Sequence, residues 1–346
     1  IVTVGETVFG YQPTGIFDGI GALKIDRRTV RVFVNSELSP DVGYAYTLLN
    51  GTTLTGARVH YFDIDRNDRC VRAAGLAYHT VYDRCGDIVT DAKQINEGPS
   101  STNGFSRFCS AQLIKRNTFG FVDTVHLLPE ETSSAFGHPH GGSFWALDPL
   151  RGEVWALPEL GRGTWEGATP IKTRSRDTVA ILLGDDFQSA PLYLWVGKKI
   201  AHGNFIERNG LATGRLYVWK ADNGDLTPED FNGKCNWRSG TFVPIAARDP
   251  EKAVGKGETP VDGYDVLGYK DDVTLRVEAD ALGAFSFSRP EDLHTSPSNG
   301  KVAVMASTGR GGLFPSDNWG TLYEIVVNTR KIGEETIPCL LKIIYD

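Results

Sequence analysis

The sequence lacks several features that would place it in common functional classes. It has one methionine, and no apolar run approaches the roughly 20 residues that span a membrane. Its 36 lysines and arginines are outnumbered by 43 aspartates and glutamates, so a net charge of −7 argues against a nucleic-acid-binding protein. It contains no P-loop, no G-x-G-x-x-G turn and no G-x-S-x-G elbow, which disfavours nucleotide binding and serine-triad hydrolysis.

Strong helical periodicity and an even cysteine count are also missing. With 39 glycines, 17 prolines and aromatic or β-branched residues along its whole length, the chain has the composition of an all-β protein. Five cysteines leave at least one unpaired, and Cys70 and Cys85, which flank a strand-like segment, are candidates for a disulfide in an exported protein. The first residue is Ile1, so we expect that a signal peptide has been removed from a secreted or periplasmic protein.

What the sequence does contain is a loosely repeated β-hairpin. Copies read "RVHYFDIDRNDR" at 58–69, "GSFWALDPLRGEVWAL" at 142–157, "GRLYVWKADNGDL" at 214–226 and "GTLYEIVVNTRKI" at 320–332. Alternating apolar residues closed by Asp, Asn or Gly turns are typical of hairpins. We therefore predict an all-β, six-bladed β-propeller that forms a single domain over residues 1–346. A large β-sandwich or two packed β-domains is the competing interpretation.

Acidic residues recur where strand-like runs end. In a propeller such loops converge on one mouth of the central channel, and carboxylates gathered there are stable only around cations. Acidic residues are also common in ordinary turns, and "DIDRND" at 63–68 is interpreted as such a turn. The strand-end carboxylates are Glu37, Glu130, Glu131, Glu166, Asp185, Asp186, Glu291 and Asp292.

Cys109 stands in an unusual setting, "GFSRFCSAQL" at 104–113. A buried structural cysteine usually lies among aliphatic residues, and a disulfide cysteine usually has an evident partner. This thiol instead lies in a short polar run beside an arginine and two serines, which raises the question of its role.

Five motifs in order resemble the PhoX-type alkaline phosphatase family. They are "GFSRFCSAQL", "PEETSS…HGGSFWALD", "GRGTWEGAT…VAILLGDD…PLYLWVG", "RNGLATGRLYVWKA" and "FSRPEDLHTSPSNGKVAVMASTGR", and the resemblance runs from about residue 8 to residue 330. It implies a six-bladed propeller, secretion and hydrolysis of phosphate monoesters. It also implies an oxo-bridged cluster of iron (Fe3+) and calcium (Ca2+), with a cysteine thiolate among the iron ligands.

The resemblance assigns roles to particular residues. Arg289 and Glu291 are the predicted catalytic residues, with Arg289 as a phosphate clamp because guanidinium pairs bidentately with phosphate oxygens. Arg310 is a second candidate for that role. The predicted metal ligands are Cys109, Glu130, Glu131, Glu166, Asp185, Asp186, Glu291 and Glu37.

The chain also departs from the family pattern. Ser36 precedes Glu37 where the family commonly has histidine, and Trp165 precedes Glu166 where the better-known phosphatases often have histidine. These differences leave the choice of substrate and the metal content open.

Two other functions remain. One is a calcium-dependent propeller hydrolase acting on lactones or phosphotriesters, which would need no cysteine ligand; the other is a non-catalytic propeller that serves as a binding module. For the leading hypothesis we expect a small phosphorylated substrate, no nucleic-acid partner, no transmembrane segment and a monomer.

Overall fold

The structure is a computed structural model that describes residues 2–96, 103–255 and 257–346. Its regular elements are mostly strands, and the longer of its two α-helices has ten residues. In chain order the strands are β1 (Phe17–Lys24), β2 (Thr29–Ser36), β3 (Tyr46–Thr47), β4 (Thr53–Gly56), β5 (Arg58–Asp65), β6 (Val71–Leu76), β7 (Thr80–Tyr82), β8 (Gly104–Phe105), β9 (Gln112–Ile114), β10 (Val125–Pro129), β11 (Phe144–Asp148), β12 (Glu153–Ala156), β13 (Trp165–Ile171), β14 (Thr178–Asp185), β15 (Leu192–Lys198), β16 (Gly214–Ala221), β17 (Trp237–Ile245), β18 (Pro290–Thr295), β19 (Val302–Ser307), β20 (Thr321–Val327) and β21 (Ile337–Tyr345). The α-helices are α1 (Phe205–Arg208) and α2 (Asp272–Ala281).

These strands form three larger sheets, and the largest of them divides into two parts. Sheet A has the order β1-β2-β5-β6, and sheet B has the order β7-β12-β11-β10-β9. Sheet C (β13 to β16) and sheet D (β18 to β21) are parts of one nine-stranded sheet, because β17 pairs with both β16 and β21. Strands β3, β4 and β8 form a smaller sheet of their own.

The predicted hairpins are present. β11 and β12 pair antiparallel from Trp145↔Ala156 to Asp148↔Glu153, which confirms the hairpin predicted at 142–157. The predicted turn at 63–68 joins β5 to β6, where a side-chain oxygen of Asp65 accepts from the amide of Asn67 at 2.8 Å. Buried and half-buried residues alternate regularly along β19 and β20, as expected for strands.

Three hydrophobic cores join the sheets in a row. One core lies between sheets A and B, a second between sheets B and C, and the third between sheets C and D. The outward face of sheet D carries half-buried apolar side chains such as Val304, Leu322 and Leu340, and Ile20 and Ala22 of sheet A are exposed. The all-β prediction is confirmed and the packing is propeller-like, but the described residues form four packed units, sheets A to D, so six blades are not confirmed.

The innermost strands of the four sheets are β1, β9, β13 and β18. Contacts link β1 to β9, β9 to β13 and β13 to β18. The approach of sheet D to β13 needs a glycine, because a Cβ on Gly167 would lie 2.5 Å from the carbonyl oxygen of Glu291. The first residues of β1, β13 and β18 therefore come together at one end of the molecule.

Helix α2 is the main element that the sequence analysis did not predict. Its N-cap residue Asp271 accepts from the amide of Thr274 at 2.7 Å, and Gly283, at φ 76°, follows its end. The buried side of the helix includes Leu275 and Arg276. The helix is only about three turns long, and its Arg276 donates to the buried carboxylate of Asp185.

The predicted pairing of Cys70 with Cys85 is not formed. Cys70 is a free, exposed cysteine whose thiol donates to the carbonyl oxygen of Asp68 at 3.7 Å. No helix among the described residues is both long enough and apolar enough to cross a membrane.

Candidate metal centre

Most of the predicted ligands meet where the inner strands begin. Asp18 and Glu166 are the second residues of β1 and β13, and Glu37 follows β2. Cys109 lies three residues before β9. The group, called the acidic cluster from here on, consists of Asp18, Glu37, Cys109, Glu131, Glu166, Asp186, Glu291 and Asp292.

Cys109 is shared by two sets of donor atoms. Its sulfur and carboxylate oxygens of Asp18 and Glu37 all lie within 4.8 Å of one another. The sulfur also lies within 4.8 Å of ligand oxygens of Glu131 and Glu166, which are equally close to each other. Its thiol donates to Oδ2 of Asp18 at 3.1 Å. The cysteine thus sits at the point where carboxylates from separate chain segments converge.

Arg107 joins two of these carboxylates. Its Nη2 lies 2.5 Å from Oε1 of Glu37 and 2.5 Å from Oε2 of Glu131. The residue adopts φ 44°, in the left-handed region that residues with a side chain rarely occupy, a strain typical of functional sites. The arginine next to the cysteine in "GFSRFCSAQL" therefore belongs to the same site as the thiol.

Arg289 is held by two other carboxylates of the acidic cluster. Its Nε and Nη2 donate to the two oxygens of Asp186 at 2.7 and 2.5 Å, and Nη2 lies 2.9 Å from Oε1 of Glu291. Bidentate pairing fixes the plane of the guanidinium. The predicted phosphate clamp is thereby oriented by two residues of the acidic cluster.

The cluster carries more negative charge than these two arginines offset. Burial raises the pKa of Glu166 to about 9, and the charges of Glu131 and Asp186 raise it as well. Burial, followed by the charges of Asp18 and Asp186, also raises the pKa of Asp292. Carboxylates crowded in this way favour a bound cation, which would stabilise their ionised forms.

The types of donor atom fit the predicted metals. Carboxylate oxygens are hard ligands that suit calcium and ferric iron, whereas a thiolate is a soft ligand that suits iron. Burial is the main cause that raises the pKa of the Cys109 thiol, and the charge of Glu166 adds to it, so the thiol is protonated without a metal. Coordination would be needed to ionise it.

Two predicted ligands lie outside the cluster. Glu130 is fully buried, and its carboxylate accepts from the amides of Ser106 at 2.9 Å and Ser143 at 3.1 Å. Adjacent residues of an extended segment point to opposite sides, so only Glu131 of this pair reaches Cys109. The structure therefore gives Glu130 a structural setting.

Asp185, like Glu130, points away from the cluster while its neighbour in the sequence points toward it. Its oxygens accept from Nε and Nη2 of Arg276 in helix α2 at 2.8 and 2.7 Å, and from the amide of Thr164 at 2.8 Å. Its neighbour Asp186 points the other way, toward Arg289. An acidic pair at a strand end thus supplies one carboxylate to the cluster and one to the protein interior.

The replacement of histidine by Trp165 is explained in the same way. Trp165 is fully buried and packs on Phe144 and Tyr193, with ring centroids 5.0 and 5.5 Å away. It faces the core between sheets B and C, whereas Glu166 faces the cluster.

Sequence reasoning missed Asp18 and Arg107. Asp18 lies in "IFDGIGAL", a strand without a recognisable motif, and only the fold brings it to Cys109. Arg107 could have been found from its place two residues before the cysteine. Asp292 was recognised as a strand-end carboxylate but was not included among the predicted ligands.

A cavity of about 930 Å³ opens beside the cluster. Its walls include Arg107 and Arg289, together with Glu131 and Asp186 of the cluster. Arg310, the second candidate clamp, is exposed and also lines this cavity. Three guanidinium groups thus face a space of the size that small ligands occupy.

Comparisons with known proteins identify relatives of this chain. The sequence model of the family described as alkaline phosphatase PhoX matches residues 145–336. A solved structure, PhoX of Pseudomonas fluorescens in complex with vanadate, a transition state analogue, superposes with a TM-score of 0.60 at 17% sequence identity. The alignment covers 94% of this chain but 66% of that one. No protein with curated annotation matches the sequence.

Proposed function

Since the chain belongs to the PhoX alkaline phosphatase family, we propose that it is a metal-dependent phosphomonoesterase whose acidic cluster holds iron and calcium. The observation that carries the proposal is the position of Cys109, whose sulfur lies within 4.8 Å of carboxylate oxygens of Asp18, Glu37, Glu131 and Glu166. A buried thiol among so many carboxylates has no evident structural purpose. The substrate would be a small phosphorylated molecule, and the protein would act, as a monomer, in the periplasm or outside the cell.

The residues that would hold the metal ions are those of the acidic cluster. Cys109 would bind iron, and the carboxylates around it would bind iron or calcium. Bound metal ions would neutralise charge on the phosphate oxygens in the transition state. Glu130 and Asp185 are not included, because amides or Arg276 already occupy their oxygens.

Arg289 would bind the phosphate group of the substrate. Asp186 and Glu291 fix its guanidinium at the edge of the cavity, so little side-chain freedom is lost when it pairs with phosphate oxygens. Glu291 contributes to this positioning, and burial raises the pKa of its carboxyl. Arg107, also at the cavity, would offer a second cationic contact.

The cysteine separates this function from the calcium-dependent hydrolysis of lactones or phosphotriesters. Oxygen ligands alone are sufficient for calcium. The thiol of Cys109 lies among these carboxylates, and a sulfur ligand favours a metal softer than calcium, such as iron.

The proposal is tested by assaying protein purified without chelator. We expect calcium and iron by elemental analysis, hydrolysis of an aryl phosphate at alkaline pH, loss of that activity with a chelator, and inhibition by vanadate. Lactone or phosphotriester hydrolysis without phosphomonoesterase activity would overturn the proposal. So would a protein that contains neither metal and has no activity after metal addition.

A further inference from the structure

A second cavity lies at the other end of the inner strands. Its volume is about 940 Å³, and its lining includes residues of β13 and β18 and of the loops that follow β9, β13 and β18. Lys172 follows β13 directly, six residues after Glu166. At about 3.3 Å per residue Glu166 and Lys172 are roughly 20 Å apart along the strand. The two cavities share no lining residue, so this one is separate from the metal centre.

The second cavity is basic. Lys172, Arg176 and Lys199 line it, with His294, and none of its lining residues is aspartate or glutamate. Among the described residues, none of the three cations forms an ion pair with a carboxylate. We call this space the basic cavity.

The surrounding loops strengthen the positive charge. Lys115, Arg116, Arg174 and Lys198 are exposed and lie within two residues of lining residues in the sequence, and within the described ranges these four also have no ion pair. The acidic groups near these loops are Asp123, Asp177 and Glu207. Asp123 pairs with Arg208 at 2.5 Å, and the carboxylate of Glu207 accepts from the amide of Asn204 at the start of α1. In a chain with a net charge of −7, a concentration of unpaired cations is unexpected.

The walls are held in place. Thr169 and Thr295 share a hydrogen bond of 2.8 Å between their hydroxyls, and Thr295 also donates to the carbonyl oxygen of Pro170 at 2.6 Å. Nζ of Lys199 donates to the carbonyl oxygen of Gly120 at 2.8 Å and so fixes the loop that carries Phe119. The cavity is therefore formed before any ligand binds.

The lining also offers the other groups that an organic phosphate needs. Ser296 and Ser298 provide hydroxyls that lie 3.2 Å apart, and Phe119 and Pro297 provide apolar surface. Lysine, arginine and hydroxyl groups are the usual partners of phosphate oxygens. An apolar wall beside them suits the organic part of the molecule.

We propose that the basic cavity is a second ligand site, which binds a small organic phosphate carrying two negative charges. The inference does not depend on the proposed function, because it uses no residue of the acidic cluster.

The test is calorimetric titration of the metal-loaded protein with phenylphosphonate, which has a doubly charged head, an aromatic ring and a carbon–phosphorus bond that a phosphatase does not hydrolyse. Variants with Arg289→Ala weaken binding at the metal centre, and the comparison of each variant with its control in that background reports on the second site. In that background, Lys172→Glu with Arg176→Glu is expected to weaken binding by roughly tenfold or more, since two charged contacts become repulsive.

The matched control is Lys24→Glu with Arg330→Glu, which changes the net charge equally at two exposed positions elsewhere. We expect the control to bind as the Arg289→Ala parent does, and all variants to unfold at the same temperature. Without Arg289→Ala, the Lys172→Glu, Arg176→Glu protein should hydrolyse aryl phosphate at the parental rate. Equal affinity of the reversal variant and its control, or no binding to the Arg289→Ala parent, would overturn the proposal.

Discussion

The two ends of the inner strands carry opposite charges, and they differ in how that charge is accommodated. At the acidic end, carboxylates are half-buried and crowded around Cys109, and Arg107 and Arg289 are the cations that pair with them among the described residues. At the basic end, cations such as Lys172 and Arg176 are exposed and spaced by hydroxyls. Buried charge requires a partner, whereas exposed charge is stable in water. The acidic end should therefore depend on a ligand for its stability, and the basic end should not.

Behind the acidic cluster, the same end of the molecule contains buried ion pairs that are expected to stabilise the fold. Arg276 pairs with Asp185 at 2.7 Å and with Asp272 at 2.9 Å, and both aspartates are fully buried. Arg276→Ala would leave both carboxylates without their cation, so we expect a loss of about 3–5 kcal/mol in the free energy of unfolding. Denaturant unfolding measures it.

The control for that prediction lies at the basic end. Arg176→Ala removes an exposed cation without an ion pair among the described residues, and should change stability by less than about 0.5 kcal/mol. Equal losses for Arg176→Ala and Arg276→Ala would contradict the distinction between the two ends.

Arg289→Ala should affect catalysis more than stability. The guanidinium is partly exposed at the cavity, so its loss removes a phosphate contact and leaves Asp186 without its partner. We expect the rate of aryl phosphate hydrolysis to fall by roughly 10²- to 10³-fold. Arg310→Ala, at the same cavity, is the control, and an equal loss there would show that Arg289 has no special position.

Variants of Glu130 and Glu131 distinguish a residue with a structural role from its neighbour, which is a proposed metal ligand. Loss of a residue that only orients a metal ligand typically lowers metal affinity by roughly 10- to 100-fold. Glu131→Ala removes a ligand itself, so we expect metal affinity to fall by more than that. Glu130→Gln should keep the metal but lose about 1–3 kcal/mol of stability, because the glutamine NH2 group, which only donates, would face one of the two backbone N–H donors. Metal titration and thermal unfolding of both variants measure this, and loss of metal from Glu130→Gln alone would reverse the assignment.

The smallest effect concerns His126, which lies in the core between the two ends. Both ring nitrogens are buried without a hydrogen-bond partner among the described atoms, and burial lowers the pKa of His126 from 6.5 to about 3. The unfolded chain therefore takes up a proton below pH 6.5 that the folded protein does not, and stability falls by up to about 1.4 kcal/mol per pH unit.

His126→Leu should reduce that slope between pH 6 and about pH 4. Exposed His202→Leu is the control and should leave the slope unchanged. The comparison requires unfolding curves at several pH values, and identical slopes for the parent and His126→Leu would show that the histidine is protonated equally in both states.

The strands could be predicted from sequence because their signal is local. The short apolar runs in "TVAILLGDD" and "KVAVMAST" predict β14 and β19, and closing turns predict the hairpins. Helix α2 was missed because its apolar stripe is narrow, although Asp271 and Gly283 mark its ends. The number of blades depends on how sheets pack, which the repeated hairpins do not specify.

The part of the candidate site that lies within the family motifs could be predicted from the sequence. The motifs name Cys109, Glu131, Glu166 and Asp186, which the fold brings into one cluster, but they treat Glu130 and Asp185 as equivalent to their neighbours. Strand alternation could have separated each pair. Asp18 was missed because only tertiary packing brings β1 beside Cys109. The basic cavity was missed because its lining cations, Lys172, Arg176 and Lys199, come from two loops that only the fold brings together.

The central claim is that Cys109 binds iron, and the most direct measurement is the iron content of Cys109→Ser beside that of Cys235→Ser. Both proteins should be purified without chelator and checked by thermal unfolding. Cys235 is exposed and lies outside the acidic cluster, so its variant should keep parental iron and activity. We predict that Cys109→Ser loses its iron and its phosphatase activity by orders of magnitude while remaining folded, because a serine hydroxyl ionises far less readily than a thiol. If Cys109→Ser retains iron and activity equal to those of Cys235→Ser, the thiol is not a ligand and the account of the metal centre is wrong.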